Sequence, residues 1–296
     1  MSVTATVVRS ARPNFLILTP VCLFPALTAA WSAGFRPDAV LVLLVFVAGL
    51  LAHAAVNWLN EWEDFRTGLD LATDRTPFSG GSGALPAAPA ASTAVLTAAL
   101  AGLFFVVLIG LYLVAHVGTG LLIPGLVGVG LVVAYTTWIT RRPMLCLIAP
   151  GLGFGPIMIA GAYYALTGHY SPAIVLASLT PMFLVSGLLL INQFPDLDPD
   201  RQHGRHHLPI SRGRKASALV FLGMMVLAYL TPVIGVVIGM LPTMTLLVLI
   251  PAPAALLVAL RALRHADEPG RLVPWLGLNV ASLMVTIILL GIGLLF

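Results

Sequence analysis

Two short stretches concentrate acidic and amide side chains in a chain that is only 9% charged. They are NWLNEWEDFRTGLD, residues 57–70, and NQFPDLDPD, residues 192–200. Each directly follows a long apolar run, where ionised carboxylates are costly unless a partner compensates their charge. Carboxylate and amide oxygens are suitable ligands for Mg²⁺, which proteins often bind together with substrate phosphates. The two stretches therefore predict a Mg²⁺-dependent diphosphate site.

The spacing within each stretch indicates which side chains act together. At about 100° per residue, a helical face about 100° wide carries Asn57, Asn60, Glu61 and Asp64. Glu63 lies off this face.

The ends of the two helices differ in regularity. We expect Gly68 to end the first helix, so that Asp70 turns back from the following loop. In the second stretch Asn192, Asp196 and Asp200 share a face, whereas Asp198 points elsewhere. Pro195 and Pro199 make the second helix end irregular.

These faces predict two sets of metal ligands, on separate helices, that together bind a diphosphate through Mg²⁺. The candidate metal ligands are Asn60, Glu61, Asp64, Asp70, Asp196 and Asp200. The candidate substrate-binding amides are Asn57 and Asn192. Alternatively, the acids are solvated loop ends that balance nearby arginines.

Basic and aromatic residues complete the predicted site. Arg66, Arg141 and Arg205, with Arg142 beside them, are candidates to pair with diphosphate oxygens; the alternative is contact with lipid headgroups. Tyr135 is a candidate catalytic residue, with Asp64 and Asp196, because its ring face can shield a cation. It is alternatively an interfacial tyrosine.

Apolar segments must position these residues. The chain has 296 residues, is 59% hydrophobic and has a mean hydropathy of +1.02. Runs of about 20 apolar residues, enough to cross a bilayer, recur along it. We predict an all-α polytopic bundle of about nine transmembrane helices in one domain, residues 1–296. The predicted spans are 13–33, 38–60, 92–115, 119–140, 144–166, 172–194, 216–239, 243–261 and 273–296.

The basic residues predict the orientation of this bundle. On the predicted layout, all of the 15 Lys and Arg residues except Arg36 lie on one side of the membrane. All of the 11 acidic residues except Asp38 lie on the same side. By the positive-inside rule that side is cytoplasmic. We expect an integral protein of a prokaryotic plasma (inner) membrane with its active site at the cytoplasmic face. The net charge of +4 then reflects arginines at the membrane surface, and no nucleic acid is expected as a partner.

Other polar features are less specific. The glycine-rich loop TPFSGGSGALP, residues 76–86, is either a cap whose N–H groups contact phosphate or a plain flexible loop. His203, His206 and His207 lack the spacing of a structural zinc site, so solvated histidines or diphosphate contacts are favoured. His53 is expected to be a hydrogen-bonded core residue. Cys22 and Cys146 are expected in the core.

The two stretches resemble the signature of the UbiA superfamily of intramembrane prenyltransferases. NEWEDFRTGLD (60–70) resembles the first family motif, with Glu61 in place of the usual Asp, and DLDPD (196–200) resembles the second. The resemblance implies a helical bundle around a central cavity with a cytoplasmic cap. It also implies a polyprenyl diphosphate bound through Mg²⁺ and a prenyl group transferred to a small aromatic acceptor.

Within the superfamily the chain is similar to the branch that prenylates dihydroxynaphthoate in menaquinone synthesis. This similarity rests on the Gly68-x-Asp70 extension, YTTWITRRP (135–143) and GLGFGPIMIAGAYY (151–164). ISRGRKAS (210–217) is also similar to the end of the second cytoplasmic motif loop of that branch. Phe154 stands where that branch tends to carry Glu, and Pro195 stands where Arg is common. These departures bear on the acceptor more than on the prenyl diphosphate.

Two other functions remain open at this point. The first is a terpene cyclase on the same scaffold, in which the ionised prenyl chain is attacked by its own double bond. The second is a transporter with acids along an ion path, although transporters place such residues near the bilayer midplane. The sequence leaves the prenyl length and the oligomeric state undetermined.

Overall fold

The computed structural model describes all 296 residues, and its regular elements are all helical. The α-helices in chain order are α1 Val3–Ser10, α2 Pro13–Leu16, α3 Leu18–Ser32, α4 Ala39–Thr67, α5 Leu69–Ala72, α6 Ala84–Ala87, α7 Ser92–Val117, α8 Leu122–Ala134, α9 Pro143–Leu152, α10 Gly161–Thr167, α11 Pro172–Asn192, α12 Leu197–Gln202, α13 Leu208–Val237, α14 Ala252–Arg264 and α15 Pro269–Gly293. The 3₁₀ segments are Pro89–Ala91, Thr119–Leu121, Ile139–Arg141 and Thr243–Leu249, and Gly153–Ala160 is a π-helix.

Seven of the helical segments are long and apolar enough to cross a membrane. An eighth is possible if Val3–Leu16 and Leu18–Ser32, which meet at a bend of 44°, form one broken span. The apolar helix Thr119–Ala134 is shorter, and its 16 residues rise only about 24 Å at 1.5 Å each. The all-α membrane bundle is therefore confirmed, but the count of nine spans is not.

Large apolar side chains cover the outside of the bundle. Leu43, Ile123, Leu126, Val237 and Ile250 are between 61% and 79% exposed. In a water-soluble protein such a surface would be an aggregation hazard, whereas lipid chains are as apolar as these side chains. The chain is an integral membrane protein.

The interior is packed around α11. Its buried residues Leu184 and Leu188 belong to a core cluster shared with α13, α14 and α15, which includes Phe221 and Leu283. A second cluster joins α3, α10 and the N-terminal half of α11, which contributes Ile174. Because α11 is enclosed on most sides, the position of its carboxyl end is fixed by the rest of the bundle.

The helix that carries the first acidic motif (residues 60–70) ends where the sequence predicts. α4 stops at Thr67, and Gly68 follows with a φ of 85°. This left-handed conformation is easy for glycine and strained for other residues. The chain turns at Gly68 and starts the single turn α5, which carries Asp70.

The second acidic motif (residues 196–200) lies on an interrupted helix, as its prolines predict. α11 ends at Asn192, a turn covers residues 193–196, and the short helix α12 begins at Leu197. The loop after α12 leads to α13, which is kinked at Gly213. The turn therefore separates Asn192 from the carboxylates that follow it.

Candidate active site

Arg205 joins the two acidic motifs. Its Nη2 donates to Asp64 Oδ2 at 2.6 Å, and its Nη1 lies 3.2 Å from Asp200 Oδ1. Asp64 and Asp200 are buried. Burial opposes the charge of the guanidinium, but the carboxylates of Asp64 and Asp200 outweigh it and raise the pKa of Arg205. The motifs, far apart in sequence, thus meet at one end of the bundle.

Asp200 has a second partner that sequence reasoning missed. His207 is 2% exposed, and its Nε2 lies 2.9 Å from Asp200 Oδ2. The expectation of a solvated histidine is therefore wrong for His207, and its contact with a diphosphate stays a prediction. His206 is exposed, and His203 Nδ1 lies 2.9 Å from the Pro199 carbonyl oxygen. The pairing was not visible in sequence because His207 reaches Asp200 across an irregular loop.

Asp196 lies against the glycine-rich loop. The Gly80 N–H donates to Asp196 Oδ2 at 3.1 Å, and Oδ1 is buried without a hydrogen-bond partner. Burial, with a contribution from nearby Asp200, raises the pKa of Asp196 to about 6. Asp198 is exposed, as predicted from its position off the face.

Asp70 turns back towards the first motif, as its place after Gly68 predicts. Its side chain is buried, and Oδ2 has no hydrogen-bond partner. Burial, followed by the charges of Glu61 and Asp64, raises the pKa of Asp70 to about 7. The loop approaches it closely at Gly81, where a Cβ would lie 2.5 Å from Asp70 Oδ1.

Both carboxylate oxygens of Glu61 are occupied by protein donors. Arg12 donates to Oε1 through Nε at 2.8 Å and Nη2 at 2.6 Å. Ser82 donates its N–H to Oε1 and its hydroxyl to Oε2, each at 2.6 Å. Glu61 is fully buried. It thus connects α4 to the N-terminal segment (residues 3–17) and to the glycine-rich loop.

The three asparagines lie in different environments. Asn57 Nδ2 donates to the Ala11 carbonyl at 2.9 Å, which leaves its oxygen as the free end of the amide. Asn60 is within 3.4 Å of both Thr136 Oγ1 and Arg12 Nη2. Asn192 Oδ1 is buried and unpartnered. The Asn60 amide oxygen thus accepts from Arg12, whereas that of Asn192 is free.

The donor set suits a hard divalent cation. Oxygens of Asp70, Asn192 and Asp196 are buried without partners, and an unpaired buried oxygen is costly unless something binds it. No three acidic, histidine or cysteine side chains converge closely enough to enclose an ion by themselves. Mg²⁺ commonly needs only one or two carboxylates, because water and substrate phosphates complete its shell. The residues fit a Mg²⁺–diphosphate complex.

Three predicted arginines lie outside this cluster. Arg66 is paired with Glu63 at 2.9 Å, and its guanidinium lies 5.1 Å from the Trp62 ring centroid. Arg141 is exposed, and the guanidinium of exposed Arg142 lies 4.8 Å from the Trp138 ring centroid. The structure brings Arg205 to the carboxylates and leaves these three on the outer surface.

A large apolar cavity adjoins the polar cluster. Its volume is about 510 Å³, and Asn57, Asn60, Tyr135 and Asn192 line its polar end. The cavity follows α4 from Asn60 to Val45, a rise of about 22 Å at 1.5 Å per residue. It is large enough for a ligand with a long apolar part.

Tyr135 and His53 occupy different parts of this cavity. Tyr135, at the polar end, is half-buried and follows the last residue of α8. Further in, His53 is buried, with Nδ1 2.9 Å from Thr19 Oγ1 and its ring 4.8 Å from that of Phe154. The expectation of a hydrogen-bonded core histidine is confirmed.

Arg12 is the main site residue that sequence reasoning missed. It lies near the first predicted span, where a basic residue is read as a membrane-surface charge. It is also the one non-glycine residue with a positive φ, 53°. Non-glycine residues in this region cluster at functional sites, but a backbone angle leaves no signal in the sequence.

Sequence comparison relates the chain to a known protein family. The family model described as the UbiA prenyltransferase family matches residues 22–293. The 1,4-dihydroxy-2-naphthoate octaprenyltransferase of Bacillus subtilis strain 168 is 28% identical over 232 residues, 77% of this chain and 72% of its own. The protein of the same name from Escherichia coli strain K12 is 27% identical over 244 residues, 76% of each chain.

A solved structure shares the fold. A UbiA homologue from Archaeoglobus fulgidus, bound to DMAPP and Mg²⁺, superposes with a TM-score of 0.63 at 12% identity. The superposition covers 97% of this chain and 99% of that chain. At this identity the likeness concerns the fold alone.

Proposed function

The chain belongs to the UbiA prenyltransferase family, and on this basis we propose that it transfers a polyprenyl group from its diphosphate to a hydroxylated aromatic acid of the naphthoate class. That it is an enzyme that transfers prenyl groups follows from the family and its named relatives. The acceptor class is inferred from the two relatives, which are named for 1,4-dihydroxy-2-naphthoate. The observation that carries the proposal is the meeting of Asp64 and Asp200 on Arg205 beside the apolar cavity.

Mg²⁺ is the proposed cofactor. The residues that would hold it are Asn60, Asp64, Asp70, Asp196 and Asp200, with Glu61 close to Asp70. The unpartnered oxygens of Asp70 and Asp196 support this assignment. When bound, the metal supplies positive charge that stabilises the departing diphosphate. The Mg²⁺ bound to the Archaeoglobus homologue supports the same choice.

The chain's own residues bind and orient the substrate. Arg205 can exchange a carboxylate for a diphosphate oxygen, because a guanidinium forms paired hydrogen bonds with both. Asn57 and Asn192 offer amide groups at the polar end of the cavity. Tyr135 presents a ring where C1 of the prenyl chain develops positive charge as its bond to oxygen breaks. The apolar wall holds the tail and excludes water, which would otherwise capture the cation.

The membrane location is proposed from charge and relatedness. The arginines that flank the acidic motifs support a cytoplasmic active site by the positive-inside rule. The bacterial relatives support a plasma membrane location. An aqueous side is required in any case, because diphosphate leaves as a highly charged ion.

The test is a product assay with a matched pair of variants. We expect purified protein with Mg²⁺, a polyprenyl diphosphate and 1,4-dihydroxy-2-naphthoate to yield a prenylated naphthalene, detected by mass spectrometry. Asp196→Asn should reduce turnover at least about a hundredfold, because it removes a charge beside the metal. Asp198→Asn, two residues away and exposed, should leave turnover unchanged.

Two results would contradict the proposal. If Asp196→Asn and Asp64→Asn keep wild-type turnover, these carboxylates do not act in the reaction. If the wild type forms a cyclised hydrocarbon or alcohol without acceptor and no prenylated product with it, the protein is a terpene cyclase.

A further inference from the structure

A second, polar chamber lies beside the apolar cavity. Its volume is about 280 Å³, and it lies between the N-terminal segment and the glycine-rich loop, open to the surface on the side of exposed Arg9. Only two of its 11 lining residues are classed as hydrophobic. Its lining includes Arg9, Arg12, Phe15, Phe78 and Gly81.

The side chains that line the chamber carry positive charge. Two arginines line it and no acidic residue does. Arg12 forms an ion pair with Glu61, whereas Arg9 forms none. The only hydrogen bond of the Arg9 side chain is a 3.8 Å contact from Nη1 to Met1 Sδ. The Gly81 N–H also donates to no protein acceptor. An unpaired guanidinium and a free N–H in a chamber without acids favour an anionic ligand.

The chamber adjoins the reaction cavity. Arg12, Phe15 and Phe78 line both spaces, so a ligand in one lies next to the contents of the other. A prenyl diphosphate and a naphthoate differ in solubility: the first is held by lipid, whereas the second arrives from water. The apolar cavity suits the tail of the prenyl diphosphate, and the adjacent polar chamber suits the anionic naphthoate.

We propose that this chamber binds the aromatic acceptor through its carboxylate. Arg9 pairs with the carboxylate, while Phe15 and Phe78 pack against the rings at the boundary of the two spaces. The inference rests on the proposed function and adds a site and a specificity-determining residue, Arg9, to it. It predicts that the enzyme distinguishes acceptors by their carboxylate.

The chamber suits a carboxylate better than a diphosphate. A diphosphate carries several negative charges, and the unpartnered carboxylate oxygens available for its metal ions belong to Asp70 and Asp196, neither of which lines the chamber. One free guanidinium matches one carboxylate in charge and geometry. The two phenylalanine rings serve an aromatic ligand and contribute nothing to an inorganic one.

The experiment compares two acceptors that differ only in the carboxylate. Wild type, Arg9→Ala and the control Arg36→Ala are assayed with 1,4-dihydroxy-2-naphthoate and with 1,4-dihydroxynaphthalene. Arg36 is an exposed arginine that stacks on Trp31, away from the chamber. Detergent without anionic lipid is used, so that loss of a headgroup contact is not measured instead.

We expect Arg9→Ala to raise KM for the carboxylated acceptor about ten- to a hundredfold, the usual effect of losing one charged hydrogen-bonded pair. KM for the prenyl diphosphate, and KM for dihydroxynaphthalene, should not change. Calorimetric titration of dihydroxynaphthoate into Mg²⁺-free protein should show the same loss of affinity without any turnover. Arg36→Ala should match the wild type throughout.

Three outcomes would overturn the inference. Arg9→Ala with unchanged acceptor affinity would mean that the chamber does not bind the acceptor. Equal losses with both acceptors would mean that it does not recognise the carboxylate. A changed KM for prenyl diphosphate, or changed inhibition by pyrophosphate, would assign the chamber to the leaving group. If the wild type prenylates neither acceptor, the proposed function fails, and the titration alone still decides whether the chamber binds a carboxylated aromatic.

Discussion

Arg205 supplies the positive charge that allows Asp64 and Asp200 to be buried near each other. Without it, two carboxylates would share a poorly solvated site, where like charges repel and each ion pays for desolvation. The same arrangement leaves Asp70 and Asp196 with unpartnered oxygens. The carboxylates are therefore divided into a pair neutralised by the protein and a pair with free oxygens.

Removal of the guanidinium should destabilise the protein in a way that Mg²⁺ corrects. Breaking one partner out of a buried ion pair typically costs about 3 kcal/mol, so Arg205→Ala should unfold at a temperature several degrees below that of the wild type. Added Mg²⁺ should raise the unfolding temperature of Arg205→Ala more than that of the wild type, because the cation replaces the missing charge. Thermal unfolding in detergent, followed by tryptophan fluorescence, measures both effects.

Arg66→Ala is the control, since Arg66 is more than half exposed and surface ion pairs contribute little. It should unfold as the wild type does at every Mg²⁺ concentration. Equal responses of Arg205→Ala and Arg66→Ala to Mg²⁺ would show that Arg205 does not substitute for a bound cation.

Side-chain positions on regular helices could be predicted from the sequence, and positions in loops could not. The shared face of Asn60, Glu61 and Asp64 follows from the helical repeat. Arg12 was missed because its partner Glu61 lies 49 residues away in sequence, and His207 because it reaches Asp200 across an irregular loop. The functional roles assigned to the candidate site residues are predictions that the variants test.

At the scale of elements, Glu61 holds three segments together. The N-terminal segment is attached to α4 through Arg12, through the Asn57 bond to Ala11, and through the Trp58 Nε1 bond to the Val7 carbonyl at 2.8 Å. The glycine-rich loop is attached through Ser82. Both segments are therefore bonded to the same fully buried carboxylate.

Glu61→Gln should loosen both segments. The substitution removes the negative charge that pairs with Arg12. It also places the amide NH2 of Gln near the N–H or hydroxyl of Ser82, which are donors themselves, so that both segments open more easily. Amide hydrogen exchange followed by mass spectrometry should be at least about tenfold faster in peptides covering residues 3–12 and 76–83. Exchange in α11 should stay as in the wild type.

The adjacent acid provides the control. Glu63→Gln alters only the outer pair with Arg66, and it should leave exchange in both segments unchanged. If Glu61→Gln and Glu63→Gln give the same exchange pattern, Glu61 does not fasten the two segments.

Helix ends were predictable where a residue with a clear conformational preference stands at the boundary. Gly68 ends α4, and the prolines around Asp196 interrupt the second helix, as expected. The number of spans was not settled by hydropathy, because α8 is short and the bend before Leu18 divides the first apolar run. The π-helix at Gly153–Ala160 was not predicted, since its two glycines and Pro156 do not by themselves specify π winding.

At the scale of the whole molecule, the apolar cavity crosses much of the bundle. It starts among the polar groups near Asn60 and reaches Val45, about 22 Å along α4, in a bilayer whose hydrocarbon core is about 30 Å thick. Its depth should therefore limit the prenyl chains that the enzyme accepts.

A bulky residue at the far end should shorten the accepted chain. Val45 lines the cavity and is 7% exposed, whereas Leu43 on the same helix is 61% exposed. Val45→Trp should reduce turnover of an octaprenyl diphosphate at least about tenfold relative to dimethylallyl diphosphate, because overfilling the space costs about 1–3 kcal/mol. Leu43→Trp should keep the wild-type ratio. The ratio is measured by product mass spectrometry, and an unchanged ratio in Val45→Trp would show that the tail does not reach this end.

The π-helix makes the lining of this cavity sensitive to the deletion of a single residue during evolution. The wall built by α9, Gly153–Ala160 and α10 faces the cavity with Ala149, Pro150, Gly153, Phe154, Ile157, Met158, Gly161, Ala162 and Ala165. These positions recur every four residues, which in an α-helix of 3.6 residues per turn would drift about 40° with each repeat. Wider π turns offset that drift. Deletion of a single residue here would restore α-helical winding and rotate the residues that follow about the helix axis. One deletion would therefore replace the side chains that half of this wall presents to the cavity.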